Sequence, residues 1–153
     1  MTEPGYTLRA MKPEDYDQVY ALWERIQGFA LRSVDDSEEY VARFLRRNPT
    51  TSVVALVDGQ VAGTILCGHD GRQGKFYHVC VAPEHRKLGI GRAMVKFSLS
   101  ALAEEGISKC SLVVFNDNEG GHAFWQKIGW TSRADVSSYE FHLNPQNISR
   151  YVE

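Results

Sequence analysis

One segment, residues 75–115, constrains the fold more than any other, because its apolar pattern changes from strand-like to helical and back to strand-like. We predict a strand over residues 75–82, a helix over 89–105 with its apolar side chains on one face, and a strand over 109–115. Strands joined through a helix run parallel in one sheet, with a right-handed crossover. The chain is therefore expected to build a sheet that carries at least one helix.

The remaining patterns add further strands and helices around this unit. Asp58-Gly59 is typical of a hairpin turn, and Asp36 is an N-cap candidate for the second helix. The predicted strands are 7–11, 52–57, 61–67, 130–134 and 138–143, and the predicted helices are 13–27, 36–48 and 118–128. The order β-α-α-β-β-β-α-β-α-β-β indicates an α/β fold in one domain, residues 1–153, with a mixed, mostly antiparallel sheet and helices on both faces.

Composition disfavours several classes of protein. The 153 residues include 17 Lys or Arg and 19 Asp or Glu, and the formal charge of -2 disfavours a nucleic-acid-binding protein. The longest strictly apolar run, residues 53–57, is too short to span a membrane, and the first residues lack the features of a signal peptide. The three cysteines suit neither a zinc site nor a disulfide framework. We expect a cytoplasmic protein without a metal, a nucleic-acid partner or a membrane partner.

Residues 79–94, VCVAPEHRKLGIGRAM, have the pattern of an anion-binding site. An apolar strand ends at Pro83, a basic loop follows, and Gly89 and Gly91 open an amphipathic helix. Unpaired N–H groups at a helix start favour an anion, and glycines let a phosphate approach the backbone. The spacing Arg86-x-x-Gly89-x-Gly91 differs from the dinucleotide-binding and P-loop patterns. Taken alone, a structural turn explains it equally well.

The spacing Arg86-x-x-Gly89-x-Gly91 resembles the acetyl-CoA pyrophosphate loop of the GCN5-related N-acetyltransferase (GNAT) superfamily, and the Val-x-Val-x-Pro strand end before it is also similar. A second family signature is an Asn that opens a helix ending in aromatic-x-Lys-Leu-Gly-Phe, which residues 118–130, NEGGHAFWQKIGW, resemble. The predicted element order is the family's order. The resemblance covers nearly the whole chain and implies a GNAT fold and acetyl-CoA-dependent N-acetylation.

The resemblance also implies where acetyl-CoA would bind. The backbone of Val79 to Val81 would pair with the pantetheine arm where two strands splay apart, and Asn118 would lie beside that arm. The backbone amides of one loop would hold the pyrophosphate; the loop residues are Arg86, Lys87, Leu88, Gly89, Ile90, Gly91 and Arg92.

The groups that would move protons depart from the family's pattern. The Tyr that commonly protonates the departing thiolate aligns with Trp125, whose indole can donate a hydrogen bond but not a proton; a core role explains Trp125 equally well. Some relatives carry a basic Glu where this chain has Val113. We predict His78 as the base, directly or through a water, with a satisfied core histidine as the alternative. The backbone amide near Val81 would stabilise the developing oxyanion. Other titratable candidates that no sequence argument selects are Glu84, His122 and Tyr139.

The acyl acceptor would enter along residues 23–39, between the first two predicted helices. This stretch combines apolar side chains with carboxylates and would suit a cationic amine, although a helix face with an N-cap explains it equally well. The side chains concerned are Trp23, Phe29, Leu31, Arg32, Asp35, Asp36, Glu38 and Glu39. The expected acceptor is a primary amine, on a small molecule or a protein N-terminus, that attacks acetyl-CoA directly in a ternary complex.

Two other functions stay open from the sequence. One is a catalytically weak or inactive acyl-CoA-binding sensor, favoured by the substitution at Trp125. The other is a structural or anion-binding α/β domain. A covalent route through Cys80 lacks an activating constellation. A homodimer is expected only by analogy with the family.

Overall fold

The central feature of the computed structural model, which describes residues 5–153, is a five-stranded sheet. In spatial order its strands are β1 (Thr7–Ala10), β3 (Val53–Val57), β4 (Gln60–His69), β5 (Gly74–Val81) and β6 (Cys110–Ser111). A separate antiparallel pair joins β2 (Ala30–Arg32) to β7 (Ser149–Tyr151). The α-helices are α1 (Tyr16–Trp23), α2 (Glu38–Arg47), α3 (Ile90–Glu104) and α4 (Glu119–Lys127). Residues 1–4, which the one-domain prediction includes, lie outside the described residues.

The direction of the strands agrees with the prediction from the crossover. Neighbouring strands of the large sheet are antiparallel except β5 and β6, which are parallel and are connected through α3. The hairpin between β3 and β4 turns at Asp58 and Gly59, whose φ angles are 50° and 76°. Two successive positive φ angles match the twist of the flanking strands. The mixed, mostly antiparallel sheet flanked by helices confirms the predicted fold class.

Each face of the sheet has its own apolar core. Val53 packs with Ile90 and Met94 of α3, whereas the adjacent Val54 packs with Val19 of α1 and with the side chains of α2. Successive side chains of a strand point to opposite faces, so one strand contributes to both cores. The helices are thus sorted to two sides, with α1 and α2 on one face and α3 and α4 on the other.

The last two predicted strands are wrong. Residues 130–148 contain no strand, and the chain instead forms β7 further on, against β2. The alternating pattern of residues 138–143 predicts a strand only if a neighbour supplies the hydrogen-bonded ladder, and none does within residues 5–153. Likewise β6 covers two residues rather than the predicted 109–115, because it diverges from β5 after the second pair.

Two predicted helix starts are shifted. A 3-10 turn, Pro13–Asp15, precedes α1, which ends at Trp23 rather than near residue 27. Asp36 is not the N-cap of α2. Ser37 takes that position and accepts a hydrogen bond from Tyr40 N, which satisfies one of the unpaired donors of the first turn. No helix in the described part of the chain is long and apolar enough to cross a membrane.

Candidate functional site

β5 and β6 separate early, which leaves one edge of β5 open. Their pairing covers Gly74 and Lys75 of β5 and ends there, so residues 76–81 have no strand partner on that edge within residues 5–153. On the other edge, Ala82 N donates to β4 at 2.7 Å. Backbone groups alternate between the two edges of an antiparallel strand, so the N–H of Val81 points to the open edge.

A β-bulge at His78 separates this open backbone from the imidazole. His78 and Val79 of β5 together stand opposite one residue of β4, and His78 has a φ of 49°. A bulge redirects the side chain at the extra residue. The His78 ring lies on the α1 side of the sheet, 4.6 Å from the ring of Trp23, whereas Val79 and Val81 pack on the α3 side.

The loop before α3 presents a row of free backbone donors. The six N–H groups from Lys87 to Arg92 have no acceptor among the described residues. Gly89, the N-cap, has a φ of 84°, a conformation that favours glycine, and it offers no side chain to the helix start. These donors lie at the positive end of a 15-residue helix, which suits an anion with several oxygens.

The two segments that resemble the family signatures, residues 79–94 and 118–130, meet at Gly91. A Cβ at Gly91 would lie 3.3 Å from Phe124 Cζ and 3.8 Å from Val81 Cγ2. The end of β5, the start of α3 and the middle of α4 are therefore in contact here. The free amides, the open edge of β5 and the second signature segment form one site.

Asn118 and His122 hold the start of α4. Asn118 Oδ1 accepts from Gly121 N at 2.9 Å, so the side chain serves as the N-cap of α4. His122 Nε2 is 3.0 Å from Phe115 O, and because a carbonyl only accepts, Nε2 is the donor. His122 thus links α4 to the segment after β6, and Asn118 has a structural role whatever else it contacts.

Trp125 belongs to an aromatic cluster on the α3 side. Its ring centroid lies 4.8 Å from that of Trp130, 5.0 Å from Phe124 and 6.2 Å from Phe76. It is half-buried, and its indole N–H has no acceptor in the described part of the chain. The packing accounts for an aromatic residue here, and the free N–H leaves a donor available.

Arg86 turns back onto the strand. Its Nε donates to Val81 O at 3.3 Å, which occupies the carbonyl of a residue whose N–H stays free. The guanidinium is exposed. Of the two groups that Val81 presents to the open edge, the N–H is therefore the one available to a ligand.

His78 and Asp36 form a close pair on the other face. His78 Nε2 lies 2.8 Å from Asp36 Oδ1, and the side chains are 17% and 6% exposed. Asp36 Oδ2 accepts from Arg32 N at 2.7 Å. Phe29 lies beside the imidazole, with ring centroids 5.4 Å apart. His78 is thus half-buried and oriented, and Asp36 is the hydrogen-bond partner of His78 rather than a helix cap.

Some of the residues predicted to contact the acyl acceptor are buried and others are exposed. Trp23 and Leu31 are buried core residues, and Trp23 Nε1 donates to Thr64 Oγ1 at 3.0 Å. Asp35 is exposed and accepts from Asn147 Nδ2 at 2.8 Å. The carboxylates left facing solvent without such a bond among the described residues are Glu38 and Glu39.

The alternative proton donors and acceptors are placed less favourably. Arg25 pairs with Glu84 at 2.6 Å and holds the pKa of that carboxyl below its usual value. Tyr139 is 94% exposed. Burial raises the pKa of the Cys80 thiol to about 12, so the thiolate needed for a covalent route is scarce near neutral pH. No group of three or more potential metal ligands occurs in residues 5–153.

A family model described as the acetyltransferase (GNAT) family matches residues 16–130, which span α1 to Trp130 and include both signature segments. The chain belongs to this family. As a GNAT protein it is an acetyltransferase, and the meeting of β5, α3 and α4 at Gly91 lies within the matched range.

Individual relatives agree with the family assignment. The GNAT protein is 32% identical to the acetyltransferase SG1711 of Sodalis glossinidius (strain morsitans) over 129 residues, 84% of this chain and 89% of the relative. The structure of Ard1 from Thermoplasma volcanium matches with a TM-score of 0.72 and 23% identity, over 85% of each chain. That of the PaiA N-acetyltransferase from Thermoplasma acidophilum, in complex with coenzyme A, matches with a TM-score of 0.68 and 18% identity, over 84% of this chain and 89% of that one.

Sequence reasoning missed the contact between His78 and Asp36. Asp36 was predicted as an N-cap and as part of an acidic groove, not as the partner of His78. The two residues are 42 positions apart, and no local pattern links them. The local feature that marks this contact is the positive φ of His78 within β5, and a φ angle cannot be read from a sequence.

Proposed function

We propose that the protein is an acetyl-CoA-dependent N-acetyltransferase that moves an acetyl group to a primary amine. The observation that carries this proposal is the row of six free N–H groups at the start of α3, next to the open edge of β5. A pyrophosphate needs several convergent donors, and an extended amide-containing arm needs an unpaired strand edge. Family membership supplies the class of reaction.

The residues present fit acetyl-CoA. The backbone amides of Lys87 to Arg92 would hold the pyrophosphate, with the charge of Arg86 close by. The open edge at Val79 and Val81 would pair with the pantetheine arm. Gly91 lacks a side chain where a Cβ would already be 3.3 Å from Phe124, which keeps the approach to the amides clear. Asn118 would border the arm from α4.

In the proposed reaction, the acceptor nitrogen forms a bond to the acetyl carbon, and the carbon–sulfur bond breaks with its electron pair on sulfur. The acetyl-CoA supplies an activated acyl group and a thiolate leaving group. The proton lost by the amine goes to His78, directly or through a water. The free N–H of Val81 would stabilise negative charge on the acetyl oxygen, and Trp125 would donate a hydrogen bond to the departing sulfur.

The proposed acceptor is an amine on a small molecule or on a protein N-terminus. Glu38 and Glu39 supply exposed negative charge at the start of α2, close in sequence to the Asp36 that contacts His78, which supports a cationic amine. We propose a cytoplasmic setting, consistent with the composition. A homodimer also stays a proposal; the apolar side chains exposed on residues 138–143 support it.

The first test is thermal unfolding with and without acetyl-CoA, with NAD and ATP as controls. A ligand at 100 times its Kd adds about 2.7 kcal/mol to the free energy of unfolding, so we expect a rise in Tm of several degrees with acetyl-CoA alone. Thiol release with a panel of amines then measures turnover. The His78→Gln variant should keep the thermal shift and lose about 100-fold in kcat. A folded protein without the shift would contradict the proposal.

A catalytically weak acyl-CoA sensor is the second candidate, because Trp125 and Val113 stand where relatives carry titratable groups. Both functions predict the thermal shift. Turnover with any amine excludes the sensor, whereas binding without turnover across the panel favours it.

A further inference from the structure

Asp36 touches none of the residues that would hold acetyl-CoA, yet it is buried and directed at His78. The Nε2–Oδ1 distance of 2.8 Å is that of a strong, charge-assisted hydrogen bond. We propose that Asp36 is the positioning residue of His78: it holds the imidazole as the tautomer protonated at Nε2 and leaves the Nδ1 lone pair free to take the proton of the amine. This inference rests on the proposed function.

Asp36 is fixed independently of His78. Its Oδ2 accepts from Arg32 N at 2.7 Å, and its own N–H donates to Arg32 O at 3.1 Å. Tyr16 donates its hydroxyl to the Asp36 carbonyl at 2.6 Å. Burial, followed by the nearby Tyr20 hydroxyl, raises the pKa of Tyr16 to about 12, so this donor stays protonated near neutral pH. The carboxylate is therefore in place before the imidazole contributes.

The hydrogen bond to Asp36 determines which tautomer His78 adopts. Both oxygens of an ionised carboxylate only accept, so His78 Nε2 must be the donor. In a neutral imidazole the other nitrogen, Nδ1, then has no proton. Nδ1 has no hydrogen-bond partner within residues 5–153, and no side-chain nitrogen or oxygen of that range is both buried and unpaired. The lone pair of Nδ1 is therefore accessible rather than sealed in the core.

Two aromatic rings also pack against the imidazole. Trp23 and Phe29 lie 4.6 Å and 5.4 Å from it, between centroids. The His78 carbonyl accepts from Thr64 Oγ1 at 2.9 Å, which fixes the bulge. A positioned base in a histidine–carboxylate pair loses rate when the carboxylate is neutralised, because the tautomer and the imidazolium both lose support.

Tyr16, Tyr77 and Cys80, which lie near the pair, keep their protons near neutral pH. Burial raises the pKa of Cys80 to about 12 and, with the charge of Asp35, raises that of Tyr77. The other titratable groups near the pair are Tyr16 and Tyr20 from α1, Asp35 from the connection to α2, Glu38 from α2, and Tyr77 and Cys80 from β5.

The test is the pH dependence of kcat in the wild type, Asp36→Asn, His78→Gln and the double variant, with one amine. Asp36→Asn should lower the plateau of kcat about tenfold, because the neutral amide supports neither the Nε2–H tautomer nor the imidazolium that forms during the reaction. The double variant should be no slower than His78→Gln alone. The KM for acetyl-CoA should not change. The exposed Asp17→Asn is the matched control and should behave as the wild type.

A second measurement needs no substitution at Asp36. In ¹⁵N-histidine-labelled wild type, NMR should show the His78 signal, identified by its loss in His78→Gln, as the Nε2–H tautomer. A merely structural carboxylate would give an Asp36→Asn variant with a lower Tm and with effects on kcat that multiply with those of His78→Gln; that result, or the Nδ1–H tautomer, would overturn the proposal. Failure of the proposed function would show differently, as a wild type without turnover.

Discussion

A catalytic role and a purely structural role for Trp125 predict different effects of its substitution on kcat. If its free N–H donates to the departing thiolate, Trp125→Phe should lower kcat about tenfold, because a hydrogen bond to a charged group contributes ~1.5 kcal/mol or more. Affinity for acetyl-CoA should change little. The measurement is steady-state thiol release together with the thermal shift.

Trp130→Phe is the control for this prediction. Trp130 lies in the same cluster, 4.8 Å from Trp125 between centroids, and loses the same atoms on substitution. Equal turnover in both variants would show that Trp125 is an ordinary member of the core. A loss confined to Trp125→Phe would assign it to the reaction.

Single residues were predictable where their role follows from a local pattern. The spacing of Gly89 and Gly91 predicted the start of α3. The predicted cap of α2 was wrong by one residue, because Asp36 and Ser37 are adjacent and both are of a capping type. The partner of His78 was not predictable, since the pair joins a loop to a bulge across 42 residues. Contacts of that kind depend on the three-dimensional packing, which no periodicity encodes.

At the scale of elements, the start of α3 carries a testable steric limit. Gly91→Ala would place a methyl group 3.3 Å from Phe124 Cζ, at the amides proposed to hold the pyrophosphate. We expect Kd for CoA to rise about tenfold, equivalent to ~1.4 kcal/mol. Alanine is the better helix former, so a fall in Tm without ligand would report that Phe124 does not accommodate the added methyl group. Isothermal titration calorimetry gives the affinity.

Gly120→Ala is the matched control, because Gly120 is also in a helix and has no atom within 4 Å of the added Cβ. It should bind CoA as the wild type does. Equal affinity of the Gly91→Ala and Gly120→Ala variants would mean that the start of α3 has more room than the structure shows.

Whole elements were predicted well where turn chemistry and periodicity coincide. The β3–β4 hairpin has both an Asp-Gly turn and flanking strands, and α3 has a glycine start and an apolar face. The strands predicted at 130–134 and 138–143 rested only on the alternation of apolar and polar residues, without a turn signal. A strand exists through its neighbour, and the pairing of β2 with β7 joins short segments with no strong signal in either.

At the scale of the molecule, residues 138–143 expose alternate apolar side chains. Tyr139, Phe141 and Leu143 are 94%, 87% and 91% exposed, and the chain's own sheet ends at a two-residue edge strand, β6. One chain therefore carries both a strand-like segment and an exposed sheet edge with which such a segment can pair. This favours pairing between two copies of the chain. We expect a dimer in sedimentation velocity experiments at micromolar concentration.

The double variant Phe141→Ser, Leu143→Ser should raise the dimer dissociation constant about 100-fold or more, since burying each side chain contributes ~1.5 kcal/mol or more. Ser137→Ala with Ser138→Ala, in the same exposed segment, should leave it unchanged. A wild type that sediments as a monomer at all concentrations would contradict the prediction.

The pairing of β2 with β7 has a consequence for how the molecule fluctuates. Ser33 Oγ donates to Gln146 O, and the N–H groups of Val34 and Asp35 donate to Asn147 Oδ1, so these contacts join segments more than a hundred residues apart. These contacts lie outside the large sheet and most of them are solvent-exposed, so we expect them to open more readily than the pairing of β3 with β4. If the acceptor binds beside β2, this pair of strands would adapt to different amines while the large sheet keeps its shape.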